Sequence, residues 1–412
     1  MDQPSRPHPD RRTFLRAGAA AATAVGIAPT ARAQDEPSRP PELPRRKLGK
    51  TGMEVTILEQ GAVHSPALDR LFRSSFSQGI RVFDTAKAYR TEPAFRRWFE
   101  AMPEVRKEIF LVTKDMPKTA DQIPAMVEDR LRTLGIDQID LFFIHGLGDE
   151  HPLDEAMRLV KSRELARVSD ELKKAGKIRF LGFSTHHKDR AAIIRAAAEG
   201  GIVDAIMLQY TPWLEKDSPL NRAIDAAWKA GIGLISMKQI AGRGPFGDRP
   251  KFDVLKEAVR RVPAVRDKKL SPYQGLLHAI WSDERISTVC ISMRNLDQIR
   301  ENAQAARSFA PLQEADLRAL RDAVIASGPT LCADCDGRCS LAAGTRAELG
   351  NLTRFLTYYQ HLGDRAKARR EYAALPEEAR DWKGADLAAA CAACPHRLDF
   401  ARLLPEVDRY LA

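Results

Sequence analysis

The sequence predicts an α/β fold: a (β/α)8 TIM barrel with a helical C-terminal extension. Eight short apolar runs alternate with longer amphipathic stretches between Arg46 and Ile325, and this alternation is typical of parallel strands joined by crossover helices. Most of the runs are apolar at consecutive positions, as expected for strands covered on both faces. Eight strands favour a closed barrel, although the spacing alone leaves an open doubly wound sheet as the alternative.

The predicted strands are the apolar runs, and the predicted helices lie between them. The strands are predicted at Thr56–Gly61, Gly79–Asp84, Ile109–Lys114, Ile139–His145, Ile178–Ser184, Ala205–Gln209, Gly233–Lys238 and Ser287–Ser292. The clearest helical patterns are at Ile123–Leu134, Leu165–Ala175, Ala191–Glu199 and Leu220–Ala230. Before the first strand, Gly49 and Gly52 predict a hairpin turn.

Composition and local patterns divide the chain into four predicted segments. These are a signal peptide at 1–33, a proline-rich linker at 34–45, the barrel at 46–325 and a cysteine-containing extension at 326–412. Apolar residues make up 44% of the chain, and the 29% of charged residues are well mixed, which indicates a folded protein. The net charge is +10, but no block of Lys and Arg interleaves with aromatics, so nucleic-acid binding is not predicted.

The N-terminus has the order of features found in a secretory signal. Arg11 and Arg12 precede an Ala-rich, weakly apolar stretch, and Ala31-Arg32-Ala33 is a small-x-small cleavage pattern. The segment resembles a twin-arginine signal, which implies use of the twin-arginine export machinery and a periplasmic or other extracytoplasmic location. The alternative is an ordinary Ala-rich surface helix. No stretch is long and apolar enough for a spanning helix of ~20 residues, so stable membrane insertion is not predicted.

Four reactive side chains lie at or just beyond the ends of predicted strands. Asp84 ends the second strand and Tyr89 follows it, Lys114 ends the third and His145 ends the fourth. In such a barrel the C-terminal ends of the strands share one rim, so a common site is expected. A polar group that closes an apolar strand costs desolvation free energy unless it is paired.

The chemistry of these four side chains suits the reduction of a carbonyl. Hydride transfer to the carbonyl carbon leaves negative charge on oxygen, which must receive a proton. The ammonium of Lys114 would favour tyrosinate and ease proton release from Tyr89, whose ordinary pKa is ~10. Asp84 would keep Lys114 ionised, and His145 would donate a hydrogen bond to the substrate oxygen.

Asp84, Tyr89, Lys114 and His145 resemble, in order and strand context, the tetrad of the aldo/keto reductase family. The resemblance covers roughly Arg46 to Ile325, and other segments agree with it. These are Leu-Gly-Lys-Thr-Gly at 48–52, Ile-Arg-Phe-Leu-Gly-Phe-Ser at 178–184, Leu-Gln-Tyr at 208–210 and Glu-Asn at 301–302. The resemblance implies an NAD(P)H-dependent oxidoreductase that acts on a small carbonyl substrate or, in reverse, on an alcohol.

The resemblance also implies a set of cofactor-binding residues. Ser184, Thr185 and Gln209 would hold the nicotinamide carboxamide, and Tyr210 would stack on the nicotinamide ring. The segment from Lys238 to Gly244 would cover the pyrophosphate. The adenine would meet Glu301 and Asn302, and the region of Ser292 and Arg294 would face a 2′-phosphate.

Two positions depart from the usual pattern of the family. Thr185 replaces the usual asparagine, and Gln298 stands where an arginine is common. Arg294 could compensate for that arginine, so the choice between NADP and NAD stays open. His186 and His187 follow the fifth strand; they are interpreted as polar residues of the mouth, with a metal role as the alternative. Trp98 and Trp213 are expected near the mouth or in the core.

Five cysteines lie in the extension. Their order, Cys332-x2-Cys335-x3-Cys339 and, much later, Cys391-x2-Cys394-Pro395, resembles the ferredoxin-type segment that ends some aldo/keto reductases, in which four thiolates hold a 4Fe-4S cluster. The expected ligands are Cys332, Cys335, Cys339 and Cys394, with Cys391 as substitute for one of them. A zinc site and disulfides are the alternatives. Cys290, in the last predicted strand, is expected to be a buried small apolar residue.

A cluster would imply a second redox centre and an electron-transfer partner. An exported enzyme would need its nicotinamide cofactor bound before export, and a cluster would give electrons a path in or out. Two other function classes remain open. One is an exported iron–sulfur redox carrier, and the other is a non-catalytic binding protein on a barrel scaffold.

Overall fold

Eight parallel strands form a closed barrel in the computed structural model of the chain, which confirms the predicted fold class. The structure describes residues 42–62, 65, 67–149, 151–187, 189–212, 218–238, 260, 262–326, 332, 337–360, 365–394 and 397–412. The strands are β1 Arg45–Lys47, β2 Glu54–Thr56, β3 Leu58–Gln60, β4 Val82–Asp84, β5 Phe110–Asp115, β6 Ile139–Ile144, β7 Ile178–Thr185, β8 Ala205–Gln209, β9 Gly233–Met237 and β10 Ile286–Ile291.

Helices connect the strands and cover the outside of the barrel. Up to the last barrel strand they are Leu68–Ser77, Glu92–Ala101, Val105–Glu108, Ile123–Leu134, Leu153–Leu159, Arg163–Lys174, Arg190–Gly200, Pro219–Lys229, Pro263–Asp267 and Pro272–Trp281, with short 3-10 turns at Lys87–Tyr89 and Ala120–Gln122. After it come Leu296–Arg307, Glu314–Ala326, Arg338–Ala342, Leu349–Gln360, Arg365–Ala373, Glu377–Arg380, Leu387–Ala393 and Phe400–Leu411. In the part of the chain that the structure describes, none of these helices has the length and apolarity needed to cross a membrane.

The barrel closes by parallel pairing between its first and last strands. The strand order around the barrel is β10-β3-β4-β5-β6-β7-β8-β9, and β10 pairs with β3 in a register that sets Cys290 beside Glu59. Side chains of β3 therefore meet those of both β4 and β10. All eight strands run in the same direction, so their C-terminal ends form one rim.

The hairpin of β1 and β2 covers the opposite end of the barrel. The two strands pair in antiparallel register, around the turn that contains Gly49 and Gly52. Leu48 and Val55 pack into the barrel interior against Val82 and Phe110, which stand at the starts of their strands. Leu43 is also buried, so the folded part begins slightly before the predicted end of the linker at residue 45.

An aromatic cluster fixes the position of β4. Phe83 of β4 packs with Phe72, Phe95 and Trp98 from two helices; the ring centroids of Phe72 and Phe95 are 4.1 Å apart and those of Phe83 and Trp98 are 5.2 Å apart. All four rings are buried, and each contributes about 1.5–3 kcal/mol through burial. Trp98 thus has the packing role, and the cluster holds the strand that ends at Asp84.

The extension has a hydrophobic core of its own. Buried side chains of the helices Leu349–Gln360 and Phe400–Leu411 meet there, among them Leu352, Leu356, Phe400 and Leu404. This core shares no residue with the main core of the barrel. Among the described residues, the extension is therefore packed around a core distinct from the main core of the barrel.

Candidate active site

The four predicted reactive side chains lie at the same rim of the barrel. Asp84 ends β4, Lys114 is the last residue but one of β5, and His145 follows β6 directly. Tyr89 ends the short 3-10 turn that follows β4. Because β4, β5 and β6 are neighbours in the barrel, the strand order brings the four together as the sequence predicted.

Lys114 and Asp84 form a buried ion pair. The Nζ atom of Lys114 contacts Oδ2 of Asp84 and donates a second hydrogen bond to the carbonyl oxygen of Thr85, at 2.9 Å. Burial lowers the pKa of Lys114, but the charge and hydrogen bond of Asp84, together with Tyr89 and Cys290, outweigh this and raise the pKa above its ordinary value. Burial raises the pKa of Asp84, and the Lys114 ammonium offsets part of that rise. Asp84 thus holds the Lys114 ammonium in the site as a fixed, desolvated positive charge.

Tyr89 lies between this ammonium and His145. The Oη atom of Tyr89 is 3.4 Å from Nε2 of His145, in a hydrogen bond whose direction depends on the tautomer of the imidazole. The two rings meet edge to face, with centroids 5.4 Å apart, and Nζ of Lys114 is 5.2 Å from the centroid of the Tyr89 ring. A carbonyl oxygen bound at Tyr89 would therefore also be within reach of His145.

The pKa of Tyr89 differs from the sequence-based expectation. The Lys114 ammonium lowers this pKa, as predicted, but burial and the negative charge of Asp84 outweigh it, so the pKa lies above its ordinary value. Tyr89 therefore keeps its proton at neutral pH. This is the state that a proton donor needs, while release of the proton depends on charge that develops during the reaction.

His145 is neutral at neutral pH. Burial lowers its pKa to about 3, and the positive charges of Lys114, His186 and Lys238 act in the same direction. A neutral imidazole has one N–H donor and one acceptor nitrogen. His145 can thus donate a hydrogen bond to a substrate oxygen without adding a second cation to the site.

Contacts on either side hold the turn that carries Tyr89. The hydroxyl groups of Thr85 and Thr91 are hydrogen-bonded at 2.7 Å across the base of the turn. On the turn itself, Lys87 forms an ion pair with Asp115 of β5, with an Nζ to Oδ2 distance of 3.3 Å. The predicted motif did not include these residues, although they set where the Tyr89 hydroxyl lies.

The residues predicted to hold the nicotinamide divide into two groups. Ser184 and Thr185, at the end of β7, are buried at the rim, and Ser184 accepts a hydrogen bond from the backbone N–H of Gly146, at 3.0 Å. Met207 packs inside the barrel, so Gln209, two residues on, is on the inward face of β8. Tyr210 is on the other face, among the buried residues between strands and helices.

The placement of Tyr210 contradicts the predicted stacking on nicotinamide. Its hydroxyl donates a hydrogen bond to Asp283, at 2.8 Å, and its ring is buried in the main core. Adjacent residues of a strand point to opposite faces, so Gln209 and Tyr210 could not both face the cofactor. Tyr210 has a structural role.

The other predicted cofactor residues lie around the end of β10 and the helix that follows it. Ser292 and Arg294 are exposed in this connection, and Glu301 and Asn302 lie on the helix Leu296–Arg307. The hydroxyl of Ser271 also donates to the Glu301 carboxylate. Lys238, at the end of β9, has a left-handed backbone with φ of 51°. The remaining positions of that predicted segment, 239–244, lie outside the described residues, as does Trp213.

Sequence reasoning missed a third carboxyl group at the site. Glu59 of β3 is buried, and its carboxyl oxygen, a carboxyl oxygen of Asp84 and Sγ of Cys290 lie within 4.8 Å of one another. Cys290 is therefore only partly buried and lies beside polar groups as well as against the apolar interior of the barrel, so the expectation of a buried apolar residue holds only in part. A charged residue within an apolar run was the available signal for Glu59.

A second missed contact lies at the mouth. Nδ1 of His186 is 2.8 Å from Oδ2 of Asp149, and His186 is close enough to affect the pKa of His145. Within the described residues, no histidine belongs to a group of three or more side chains that could hold a metal ion. The contact with Asp149 places His186 beside the acid-base groups of the rim.

Three of the predicted cluster ligands meet in the extension. Cys332, Cys339 and Cys394 belong to its core, and Cys391 packs against that core. Burial raises the pKa of Cys339 to about 12, and the neighbouring Cys332 and Cys394 act in the same direction. The buried guanidinium of Arg354 donates to Sγ of Cys332, at 3.7 Å. Among the five cysteines that the structure describes, none forms a disulfide; Cys335 lies outside the described residues.

Comparison with known proteins agrees with this geometry. The sequence model of the family described as "Aldo/keto reductase family" matches residues 52–325. An aldo-keto reductase of Schizosaccharomyces pombe, whose name includes NADP(+), is 30% identical over 270 residues, which cover 60% of this chain and 75% of that protein. An aldo-keto reductase of Mycolicibacterium smegmatis is 28% identical over 219 residues, covering 52% of this chain and 74% of the relative.

A solved structure agrees at the level of the fold. The holo form of an aldo-keto reductase from Bacillus halodurans superposes with a TM-score of 0.53 at 21% identity, over 68% of this chain and 96% of that one. The family match spans most of the chain and coincides with the barrel and its rim of four reactive side chains. The chain therefore belongs to the aldo/keto reductase family of oxidoreductases.

Proposed function

We propose that this protein reduces a carbonyl compound to an alcohol, or catalyses the reverse reaction, with NADPH or NADH as hydride donor and Tyr89 as proton donor. One observation carries the proposal. The protonated hydroxyl of Tyr89 faces neutral His145 at 3.4 Å, above the buried Lys114–Asp84 pair. A proton donor, a hydrogen-bond donor and a fixed positive charge thus converge where a carbonyl oxygen would bind.

Each side chain has a separate part in this reaction. When bound, the nicotinamide cofactor supplies the hydride that adds to the carbonyl carbon, and the C=O π electrons move to oxygen. His145 orients that oxygen and donates a hydrogen bond to it. Tyr89 transfers its proton to the oxygen and becomes tyrosinate, which the Lys114 ammonium stabilises. The products are the alcohol and the oxidised cofactor.

The proposed cofactor contacts are made by side chains at the C-terminal ends of the barrel strands and on the helix after β10. Ser184, Thr185 and Gln209 offer side-chain donors and acceptors at the ends of β7 and β8, which suits a carboxamide. Arg294 stands just before the helix Leu296–Arg307 and next to Ser292, where a cation and a helix N-terminus favour a phosphate. Lys238 would reach the pyrophosphate, and Glu301 and Asn302 the adenine. The NADP(+) in the name of the yeast relative supports NADPH as the first choice.

Replacement of Tyr89 by phenylalanine tests the proposed chemistry. Loss of the hydroxyl removes the proton donor, so Tyr89→Phe should lower kcat by roughly 10²–10⁴-fold. Cofactor binding, followed by quenching of tryptophan fluorescence on titration with NADPH, should stay close to that of the wild type. The matched control is Tyr273→Phe, on an exposed tyrosine of the helix Pro272–Trp281, and it should leave both quantities unchanged.

The opposite pattern would favour the other function classes. Equal turnover in Tyr89→Phe and wild type would exclude Tyr89 as the proton donor. The assay uses a panel of small aldehydes, ketones and alcohols with both cofactors. Absence of turnover and of cofactor binding in the wild type would favour a redox carrier or a binding protein.

We also propose that the extension holds a 4Fe-4S cluster. Support comes from the position of Cys332, Cys339 and Cys394, which lie in one core beside the Arg354 guanidinium. Thiols with a raised pKa lose their protons when they bind a metal centre. Cys335 would complete the set, with Cys391 as the substitute. The cluster would supply one-electron exchange with a separate electron-transfer partner.

Anaerobic absorption and metal analysis test this part of the proposal. A broad visible band that dithionite bleaches, with about four iron atoms per chain, should be present in the wild type and lost in Cys339→Ser. The control Cys290→Ser, in the barrel, should keep it. Stoichiometric zinc without iron would establish the zinc alternative, and blocked thiols without metal would establish disulfides.

Export is the third part of the proposal, and it rests on the sequence of residues 1–33, outside the described part of the chain. Replacement of Arg11 and Arg12 by lysine should keep the protein in the cytoplasm, because the paired arginines are the feature read in a twin-arginine signal. The measurement is cell fractionation with immunoblotting. Unchanged periplasmic recovery would contradict the proposal.

A further inference from the structure

Glu59 is the one side chain of β3 that faces the interior of the barrel. Its neighbour Leu58 packs in the main core outside the strands. On the other side, Gln60 accepts a hydrogen bond from Ser75 of the helix Leu68–Ser77, at 2.8 Å. Glu59 instead lies between Asp84 of β4 and Cys290 of β10. A carboxyl oxygen of Glu59, a carboxyl oxygen of Asp84 and Sγ of Cys290 lie within 4.8 Å of one another.

The surroundings of Glu59 compensate a negative charge on it only in part. The residue is completely buried, and among the described residues neither carboxyl oxygen has a hydrogen-bond partner. The nearby ammonium of Lys114 is already engaged with Asp84 and the Thr85 carbonyl. An isolated buried carboxylate costs several kcal/mol, which a carboxyl group avoids by keeping its proton.

The net effect of burial and of the titratable groups that face Glu59 is to favour its protonated form. Burial and the negative charge of Asp84 raise the pKa of Glu59 well above its ordinary value, and the charge of Lys114 and an interaction with the Cys290 thiol offset only part of the rise. Burial and the same two carboxyl groups raise the pKa of Cys290, so its thiol stays neutral. Tyr89, the remaining group near Lys114, also keeps its proton.

We propose that Glu59 is a neutral carboxylic acid at neutral pH and acts as a positioning residue for the tetrad, by leaving Asp84 as the single counter-charge of Lys114. If Glu59 were ionised, the buried group of Glu59, Asp84 and Lys114 would carry a net negative charge. That charge would oppose the formation of tyrosinate at Tyr89 during carbonyl reduction. The proton on Glu59 therefore keeps the field of Lys114 available to Tyr89.

The protonation state can be measured without any assay of activity. The infrared difference spectrum between wild type and Glu59→Gln at neutral pH should contain the carbonyl stretch of a protonated carboxylic acid. Glu54→Gln, at the exposed first residue of the hairpin strand β2, is the control, and its difference spectrum should contain only carboxylate bands. A difference spectrum of Glu59→Gln that also contains only carboxylate bands would overturn the proposal.

The positioning role has a separate, kinetic readout that rests on the proposed function. Glutamine mimics the neutral acid, so at pH 7 Glu59→Gln should reduce the carbonyl substrate within about threefold of the wild-type rate. At alkaline pH the wild type should lose activity earlier than the variant, because only the wild type gains the extra buried charge. Superimposable pH profiles would overturn the positioning role while leaving the infrared result intact.

Two further outcomes are distinguishable. Stoichiometric divalent metal retained by the wild type and lost in Glu59→Gln would mean that the three donors bind a metal ion, and it would overturn the proposal. If Glu59→Gln does not fold, infrared spectra of wild-type protein labelled with ¹³C-glutamate still report the protonated carboxylic acid through its isotope shift. Lack of carbonyl turnover in the wild type would count against the proposed function and not against the proton on Glu59.

Discussion

At the scale of the residue, burial opposes the effect of the nearest ion on the charge of the groups in the site. Tyr89 lies beside an ammonium, yet burial and Asp84 raise its pKa. His145 lies next to the same ammonium, and burial lowers its pKa to about 3. Both groups are therefore neutral hydrogen-bonding groups at neutral pH, beside the buried charges of the Lys114–Asp84 pair.

Neutral, buried His145 makes the stability of the protein depend on pH in the acid range. The pKa of His145 is about 3 in the folded protein and near the ordinary ~6.5 when unfolded. Between these values the unfolded state binds a proton that the folded state does not, so the free energy of unfolding falls as pH decreases. The slope from one such group reaches about 1.4 kcal/mol per pH unit.

Urea unfolding of wild type and His145→Gln from pH 7 to pH 4 measures this contribution. The variant lacks the titrating group, so its free energy of unfolding should fall less steeply than that of the wild type over the same interval. Equal slopes would show that folding does not lower the pKa of His145, contrary to the effect of burial on it.

At the scale of the element, close approach between neighbouring strands limits which residues the barrel accepts. Gly182 of β7 is the clearest case, because a Cβ atom built there would lie 2.0 Å from the carbonyl oxygen of Ala205 in β8 and 2.5 Å from the Phe143 ring in β6. Neither backbone nor packed ring can move away cheaply. The family motif Leu-Gly-Phe-Ser thus has a steric reason at its glycine.

We expect Gly182→Ala to destabilise the protein by about 1–3 kcal/mol, as overpacking of a core does. The measurement is the free energy of unfolding in urea. Gly384→Ala is the matched control, because a Cβ atom there meets nothing within 4 Å. Equal stability of Gly182→Ala and wild type would mean that β7 and β8 separate without cost.

At the scale of the whole molecule, two hydrophobic cores with no common residue predict two unfolding transitions. Leu404 is completely buried in the core of the extension. Leu404→Ala, which should cost roughly 2–5 kcal/mol, is expected to lower only the transition of that core. Gly182→Ala should lower only the other one, and differential scanning calorimetry measures both.

Removal of metal gives an independent check on the assignment of the transitions. If the cysteines hold a cluster, a chelator under reducing conditions should lower the transition that Leu404→Ala lowers and leave the barrel transition in place. A single transition that shifts with every change would mean that the two cores unfold together.

The sequence predicted most of the fold because local signals mark its boundaries. The helix Ile123–Leu134 has the predicted ends: Pro124 lies in its first turn, and Gly135 ends it with a left-handed φ of 67°. The first strand was less accurate. The predicted run Thr56–Gly61 contains the end of hairpin strand β2 and barrel strand β3, and the bend at Ile57 between them depends on contacts across the barrel.

The predicted positions of side chains agree with the structure where strand ends alone set them. Asp84, Lys114 and His145 meet because parallel strands end at one rim. The predicted role of Tyr210 was wrong because a family motif was transferred without regard to the alternation of faces along β8 and the residue that follows it. Glu59 was missed for a different reason, since its neighbours Asp84 and Cys290 come from strands that are distant in sequence and adjacent only in the closed barrel.

The closure between β3 and β10 also bears on how the protein is made. The ribosome delivers β3 near the start of the chain and β10 more than two hundred residues later, so Glu59 and Cys290 become neighbours only when the last strand docks. Until then β3 has an unpaired edge, which is prone to association with other chains. The final strand therefore completes the site and seals the edge in one event, and a chain cut short before Ile286 would contain all four tetrad residues without an enclosed site.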